Sequence, residues 1–310
     1  MMLRFLRRTA FATAPSLLIA GLMALGLALP EARAAEDTRF GQGLLWKIEK
    51  QGTAASYVFG TIHSTDDRLR NLPPAVDRAI SESDLLAFEL LESVEGQQLM
   101  SQAMQLPADR QLEDILGPEL FRRTVEAVSS YGMPAEALQR FKPWALSLFL
   151  VYPRIEVVRL AQGQPAFDSW LQAEARRRGK EIRALETYEE QIAVFDSMSE
   201  AEQVAMVSYM LADHADIYAR FNRIFRAYLK GDLTVAMAEA NDVSKVSDVA
   251  AAERFKQRLI DDRNRVMAQR IEPLLRAGGA FIAVGAAHLP GEGGVLDLLE
   301  AQGYRITRSY

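Results

Sequence analysis

The sequence predicts a mixed α/β fold, with a central β-sheet flanked by helices and a large helical middle segment. Short strand-like apolar runs lie within residues 44–91 and recur within residues 281–307. Between these ends, apolar residues recur mainly at the spacing of α-helices. No biased linker or fixed-period repeat interrupts the chain. We therefore expect residues 35–310 to form one domain with a helical insertion, the rival interpretation being two closely packed halves.

The N-terminal part predicts a β-hairpin, a helix and a buried strand. Residues 44–49 and 56–60 are strand-like runs separated by a short turn that contains a glycine. Two prolines begin a helix over residues 73–83, because proline is favoured in the first helical turn. The run over residues 85–91 is apolar except for Glu89, which is typical of a strand buried on both faces.

The middle of the chain predicts helices, with one short strand. Apolar residues recur at helical spacing over residues 109–172, and Pro153 is expected to kink or divide the buried helix over residues 144–160. The remaining predictions, in chain order, are a strand over 181–185, helices over 189–229 and 251–276, a strand over 281–285, a helix over 293–302 and a final strand over 304–307.

The first 34 residues predict a cleavable signal peptide. Arg4, Arg7 and Arg8 precede an uncharged run over residues 17–29, and Ala32-Arg33-Ala34 has the small-x-small pattern of a cleavage site. The uncharged run is shorter than the roughly 20 residues that span a bilayer. We therefore expect cleavage after Ala34, a periplasmic or secreted protein, and no stable membrane insertion after cleavage.

Composition excludes several classes of site and partner. The chain has no cysteine, which excludes disulfides, thiolate metal sites and cysteine nucleophiles. Its formal net charge is −5. Nucleic-acid affinity comes mainly from neutralising phosphates, so we expect no nucleic-acid partner.

Two of the three histidines occupy the same local pattern. Gly60 and Gly285 each end a predicted buried strand, and His63 and His288 follow three residues later. A glycine at a strand end permits a sharp change of backbone direction. The histidines are then expected at the carboxyl edge of the sheet, where open α/β sheets bind ligands. The repetition favours a functional site over two structural histidines, whereas His214 is expected to be an exposed helix residue.

Glu89 is the third unusual residue, because a carboxylate within an apolar run is costly to bury without a partner. The alternative is a strand-end glutamate that faces solvent. If its strand adjoins the hairpin, Glu89 lies near His63. Two imidazoles and one carboxylate form a common catalytic metal set that leaves a position for water. If only a metal compensates Glu89, Glu89→Gln should stabilise the metal-free protein.

These residues and several others resemble the TraB/GumN family, whose animal relatives include the Tiki metalloproteases. The resemblance extends over about residues 44–307 and includes motifs within the helical middle. The matching positions are Leu45-Trp46-Lys47-Ile48, Phe59-Gly60-Thr61-Ile62-His63, Glu89, Lys142-Pro143-Trp144, Asp168, Leu185-Glu186-Thr187, Gln191, Gly231-Asp232, Arg263-Asn264 and Val284-Gly285-Ala286-Ala287-His288-Leu289-Pro290-Gly291.

The resemblance implies a fold like that of the erythromycin esterase and ChaN proteins, with His63, Glu89 and His288 as the active centre and metal ligands. In the Tiki branch, proteolysis depends on a divalent metal, manganese or cobalt; zinc also suits such ligands. Asp168 and Glu186 are candidates for outer ligands, bases or partners of the secondary candidate Arg263. Asn264 is a further secondary candidate for a site residue.

Three functions remain open at this point. The leading one is an exported metal-dependent hydrolase, peptidase-like by resemblance, acting on a peptide or a small-molecule amide or ester. The second is a metal-free hydrolase in which histidine and glutamate activate water. The third is a non-catalytic periplasmic binding protein for haem or another ligand, as the ChaN resemblance allows, which would need an axial ligand such as His63, His288 or a tyrosine.

Overall fold

The computed structural model describes residues 38–241 and 249–310. The predicted signal peptide and its cleavage site after Ala34 lie outside them. The described residues form a mixed α/β fold around a six-stranded sheet, so the predicted fold class is confirmed. The strands are β1 (Leu45–Glu49), β2 (Ser56–Thr61), β3 (Leu85–Phe88), β4 (Glu181–Ala184), β5 (Ala280–Gly285) and β6 (Arg305–Arg308).

Helices cover both faces of the sheet and build the middle of the chain. The prediction missed α2 and α12 and placed most other helices within a few residues. The helices are α1 (Pro74–Glu82), α2 (Val94–Ala103), α3 (Leu112–Leu116), α4 (Pro118–Ser129), α5 (Ala135–Leu138), α6 (Pro143–Leu150), α7 (Arg154–Ala161), α8 (Phe167–Arg177), α9 (Tyr188–Asp196), α10 (Glu200–Asp213), α11 (Ile217–Leu229), α12 (Leu233–Ala240), α13 (Val249–Lys256), α14 (Arg263–Ala277) and α15 (Val295–Ala301).

Pro153 divides the predicted apolar helix into α6 and α7. Proline lacks a backbone N–H and its ring clashes with the preceding turn, so a continuous helix through this position is unfavourable. A different irregularity joins α13 to α14, where residues 257–262 form a π-helical turn immediately before Arg263. Such turns are frequent at functional sites.

The strand order is β4-β3-β5-β2-β1-β6. Strands β4, β3, β5 and β2 are parallel, and β1 is antiparallel to both β2 and β6. The strand before Glu89 does not adjoin the hairpin, so the condition for placing Glu89 near His63 is not met: β5 lies between β3 and β2. β5 is buried along its whole length, as its continuous apolar sequence favours for an interior parallel strand.

Two hydrophobic cores stabilise the fold. The sheet core contains buried residues of β1, β2, β3 and β5 with those of α1, α8, α11, α12, α14 and α15. The helical core contains buried residues of α2 to α7, α9, α10 and α13. Phe221 of α11 packs against both cores. Within residues 38–241 and 249–310, no helix has the length and apolar character needed to cross a membrane.

Candidate functional site

Parallel pairing brings the candidate residues to one edge of the sheet. His63 follows β2, Glu89 follows β3, Glu186 follows β4 and His288 follows β5. Because the four strands are parallel, their carboxyl ends meet at the same edge. All four side chains are at least 95% buried, so the alternative of a solvent-facing Glu89 is wrong.

Arg263 of α14 links two of these strand ends. Its Nη2 lies 2.8 Å from Glu89 Oε2 and 2.5 Å from Glu186 Oε2, and its Nε donates to Glu186 Oε1 at 2.8 Å. Arg263 Nη1 also donates to the carbonyl oxygen of Leu259, in the preceding π-helical turn. Of the roles left open for Glu186, the structure shows the pairing with Arg263, and one guanidinium lies between two buried carboxylates.

The Glu89 carboxylate is held by the end of β5 and by Arg263 of α14. Its Oε1 accepts a hydrogen bond from the backbone N–H of Gly285, at the end of β5, while Oε2 accepts from Arg263. Burial alone would raise the pKa of Glu89, but the Arg263 guanidinium and the N–H of Gly285 lower it below its usual range. Glu89 is therefore an ionised, compensated carboxylate with lone pairs remaining on each oxygen.

His288 is oriented by Asn264. Asn264 Nδ2 donates to the carbonyl oxygen of Gly293, so its Oδ1 faces His288 Nδ1 at 2.7 Å and accepts the ring hydrogen. The resulting tautomer leaves the lone pair on Nε2, which lies 3.3 Å from Arg263 Nη1 and 3.8 Å from Glu89 Oε1. Burial lowers the pKa of His288 to about 3, which keeps the imidazole neutral.

His63 is oriented by Asp168. Its Nδ1 lies 2.6 Å from Asp168 Oδ2, an ion-pair contact that lacks hydrogen-bond geometry, and the other carboxylate oxygen accepts from the Thr61 hydroxyl. Asp168 therefore contacts His63 and not Arg263, whose pairing with Asp168 was one of the roles left open. Burial lowers the pKa of His63, but the charges of Asp168 and Glu89 raise it above its usual value. His63 Nε2 is buried without a partner among the described residues.

Gly60 and Gly285 lie where a side chain would collide with neighbouring atoms. Neither Gly60 nor Gly285 has a positive φ, so the expectation based on backbone freedom is wrong. A Cβ on Gly60 would lie 2.8 Å from Leu289 Cδ1 and 3.1 Å from Ala286 Cα. A Cβ on Gly285 would lie 3.0 Å from Glu89 Oε1. Glycine therefore permits β2 and Glu89 to approach the β5 end closely.

Glu156 supports the loop after His63, and the sequence analysis missed it. Its carboxylate accepts hydrogen bonds from the Ser64 hydroxyl at 3.0 Å and from the Thr65 N–H and hydroxyl at 2.6 and 2.8 Å. A detectable signal existed, because Glu156 is an acidic residue within the apolar run over 144–160, just as Glu89 lies within its strand-like run.

The imidazole and carboxylate donors of the site suit a divalent cation. The distances between these side chains, however, are too large for three of them to bind one ion. His63 Nε2 is an unpartnered buried donor atom, and His288 Nε2 and Glu89 Oε1 face each other. Both imidazoles are anchored through Nδ1, as metal-ligating histidines usually are. Within the described ranges, no three His, Asp or Glu side chains are spaced to hold one ion. In this structure the positive charge beside Glu89 comes from Arg263.

A groove of about 450 Å³ lies beside this centre, above the carboxyl ends of β3 and β4. Its wall includes Glu186, which ion-pairs with Arg263. The apolar lining includes Leu90, Leu91 and Leu99, so the groove can accommodate an apolar group next to the buried charges.

The third histidine lies apart from the centre. His214 is half-buried in a short 3₁₀ turn, and its Nε2 lies 2.9 Å from the Tyr131 hydroxyl. The expectation of an exposed helix residue is therefore wrong. Burial lowers the pKa of His214.

Curated relatives include Tiki proteins of several animals. The chain is 27% identical to "Metalloprotease TIKI1" of Danio rerio over 86% of this chain and 63% of the relative. It is 27% identical to "Metalloprotease TIKI2" of Xenopus tropicalis over 86% of this chain and 59% of the relative. The chain thus spans about three fifths of the length of these relatives. No solved structure matches the chain significantly.

The resemblance found from the motifs is supported across nearly the whole described chain. The model of the TraB/PrgY/gumN family matches residues 44–308, a span that contains β1 to β6 and every candidate residue. The chain belongs to the TraB/PrgY/gumN family.

Proposed function

We propose that the chain is an exported metal-dependent hydrolase that cleaves a peptide, or a small amide or ester, at a centre formed by His63, Glu89 and His288. One observation carries this proposal: two buried imidazoles are each anchored through Nδ1, with Nε2 directed away from the anchor, beside an ionised carboxylate. The Tiki relatives carry the name metalloprotease, which favours proteolytic chemistry within that class.

His63 Nε2, His288 Nε2 and Glu89 are the ligands that would hold the ion, and they would have to move closer together to do so, with His288 Nε2 leaving its contact with Arg263. The resemblance favours manganese or cobalt, and zinc is compatible. A bound divalent ion polarises a carbonyl and lowers the pKa of its water. Asp168 and Asn264 orient the two imidazoles. Arg263 keeps Glu89 ionised, and the groove beside Glu186 receives an apolar part of the substrate.

A second candidate, a metal-free hydrolase, is favoured by the contact between His63 and Asp168. An imidazole with a carboxylate on Nδ1 and an open Nε2 can take a proton from water as a general base. In that case water attacks the carbonyl carbon while its proton moves to His63 Nε2. A chelator distinguishes the two candidate functions. Only a metal-dependent hydrolase should lose activity when a chelator is added and regain it when metal is returned.

The test uses protein purified from the exported fraction, with its N-terminus sequenced to locate the expected start at Ala35. Metal content and binding of Mn²⁺, Co²⁺ and Zn²⁺ are measured together with hydrolysis of a quenched-fluorescent peptide library and 4-nitrophenyl acetate. His63→Ala and His288→Ala should each abolish metal binding and hydrolysis, because each removes one of three ligands. His214→Ala is the matched control and should retain both.

Several results would contradict the proposal. Hydrolysis that survives exhaustive chelation and is lost in His63→Ala selects the metal-free candidate. A wild-type protein that hydrolyses no probe with any of the three metals is not a hydrolase of this class. A Soret band on adding haem to that inactive protein selects the binding-protein alternative.

A further inference from the structure

The groove beside Glu186 adjoins the proposed centre and has an apolar wall. Leu90, which directly follows Glu89 in the chain, lines its inner part and is 3% exposed. The backbone N–H of Glu186 donates to the carbonyl oxygen of Glu89 at 2.8 Å, so the inner part of the groove lies against both of these residues. Leu91 and Leu99, which are half-buried, continue the wall. A substrate bound at the centre can therefore extend an apolar group along the groove.

Two carboxylates at the exposed rim of the groove are uncompensated. The side chains of Glu95 and Glu189 line the groove, are exposed, and form no hydrogen bond or ion pair within the part of the chain that the structure describes. The third lining carboxylate, that of Glu186, is paired with Arg263. The described lining includes no lysine or arginine. The rim therefore carries negative charge that no lining residue neutralises.

The rim lies at the N-terminal turns of α2 and α9, which by themselves would attract an anion. Both turns are already capped: Ser93 accepts from the N–H of Gly96 at 3.0 Å, and Thr187 accepts from the N–H of Glu190 at 3.2 Å. Each rim carboxylate also adds a full negative charge, which exceeds the roughly half positive charge of a helix N-terminus. The rim therefore favours a cation over an anion.

We propose that the groove is a specificity subsite for a basic side chain, lysine or arginine, of a peptide substrate. Such side chains lay their methylene stems along apolar surface and keep the charged end in water. The stem would contact Leu90, Leu91 and Leu99, and the cation would lie beside the two rim carboxylates. The groove volume of about 450 Å³ is within the range of sites that hold small ligands. This inference rests on the proposed hydrolytic function, because it assigns the substrate class of that centre.

The probes are peptides of the form Ala-Ala-X-Ala-Ala, in which X is lysine, norleucine, alanine or glutamate. Norleucine has the methylene stem of lysine without the ammonium group, so this pair isolates the effect of the charge. Values of kcat/KM are measured with internally quenched peptides and the metal-loaded protein. Values of Kd are measured with rhodamine-labelled peptides and the metal-free protein, so the second assay does not depend on hydrolysis.

In the wild type, lysine should be preferred over norleucine by about 2–25-fold in both assays, because two exposed ion pairs contribute about 1.5–5-fold each. Norleucine should be preferred over alanine, and glutamate should be the poorest residue. The preference for lysine should shrink in about 1 M NaCl, which screens exposed charges.

Glu95→Gln combined with Glu189→Gln should remove the preference for lysine over norleucine, and each single variant should remove part of it. Glu119→Gln is the matched control. Glu119, Glu95 and Glu189 each occupy the second position of a helix, but Glu119 lies outside the groove. The three charges stabilise their helix starts alike, so the control should retain the preference. Thermal melts verify that the variants are folded.

Hydrolysis without a preference for lysine overturns the inference and leaves the proposed function intact. The inference also fails if Glu119→Gln lowers the preference as much as the rim variants do. Binding that prefers lysine, in a protein that hydrolyses no probe with any of the three metals, refutes the proposed function and leaves the groove as a site for basic side chains. A protein that neither hydrolyses nor binds these peptides refutes both.

Discussion

At the residue scale, Arg263 determines the charge state of the site. Its guanidinium contacts Glu89, Glu186 and His288, all at least 95% buried. Burying a charge is tolerable when a partner compensates it, and removal of one partner from a buried pair is strongly destabilising. The premise that Glu89 is uncompensated without metal is therefore wrong, and Glu89→Gln should destabilise the metal-free protein.

We predict that Arg263→Gln lowers the free energy of unfolding by about 3–5 kcal/mol, the usual cost of leaving a buried partner unpaired. Urea denaturation of the metal-free protein measures this change. Arg265→Gln is the matched control, because Arg265 lies on the same helix and forms an exposed pair with Asp262. Such exposed pairs contribute little. Equal effects of the two substitutions would show that Arg263 does not compensate the buried carboxylates.

At the scale of elements, the ends of β2 and β5 determine where the histidines lie. Thr61 pairs with Gly285 in the parallel register, so the two segments leave the sheet side by side. Gly60 packs against Ala286 and Leu289 of the segment that carries His288. The site geometry therefore depends on a close approach between two strand ends that are far apart in sequence.

We predict that Gly60→Ala destabilises the protein by about 1–3 kcal/mol, the usual cost of overpacking a core, because the added Cβ would lie 3.0 Å from the Ala286 Cβ. Chemical denaturation measures the loss. Ala286→Gly removes that Cβ, so Gly60→Ala combined with Ala286→Gly should recover part of the stability. Additive effects of the two changes would indicate that this contact is not the cause.

At the scale of the whole molecule, the ion pairs join the sheet to the elements of the helical core. Arg263 binds Glu89 after β3 and Glu186 just before α9, and Phe221 packs against both cores. These shared contacts favour one cooperative unit over two independent halves.

We predict that the sheet core and the helical core unfold together. In Trp144→Phe, the fluorescence comes from Trp46 and Trp170 and reports on the sheet core. In the double variant Trp46→Phe with Trp170→Phe, it comes from Trp144 and reports on the helical core. Within each variant, the fluorescence midpoint in urea should coincide with the midpoint from circular dichroism, as two-state unfolding requires. Separate midpoints would favour two packed halves.

Local sequence patterns are sufficient to predict most of the elements and the candidate residues of the centre. Periodicity located the strands and most helices, and Pro153 predicted the break between α6 and α7, because these signals act over a few residues. The repeated spacing of Gly60 with His63 and of Gly285 with His288 identified two strand ends. The same kind of signal, a carboxylate within an apolar run, identified Glu89 and could have identified Glu156.

Which of these residues contact one another depends on the three-dimensional packing of the elements. This packing inserts β5 between β3 and β2, so Glu89 contacts Gly285. It also assigns Arg263 to Glu89 and Glu186, and Asp168 to His63. Strand pairing joins residues as distant in sequence as Trp46 and Arg308, and buried contacts join Glu89 to Arg263 and Gly285. Their choice depends on which faces pack together and which charges must be compensated, and local periodicity carries no information about either.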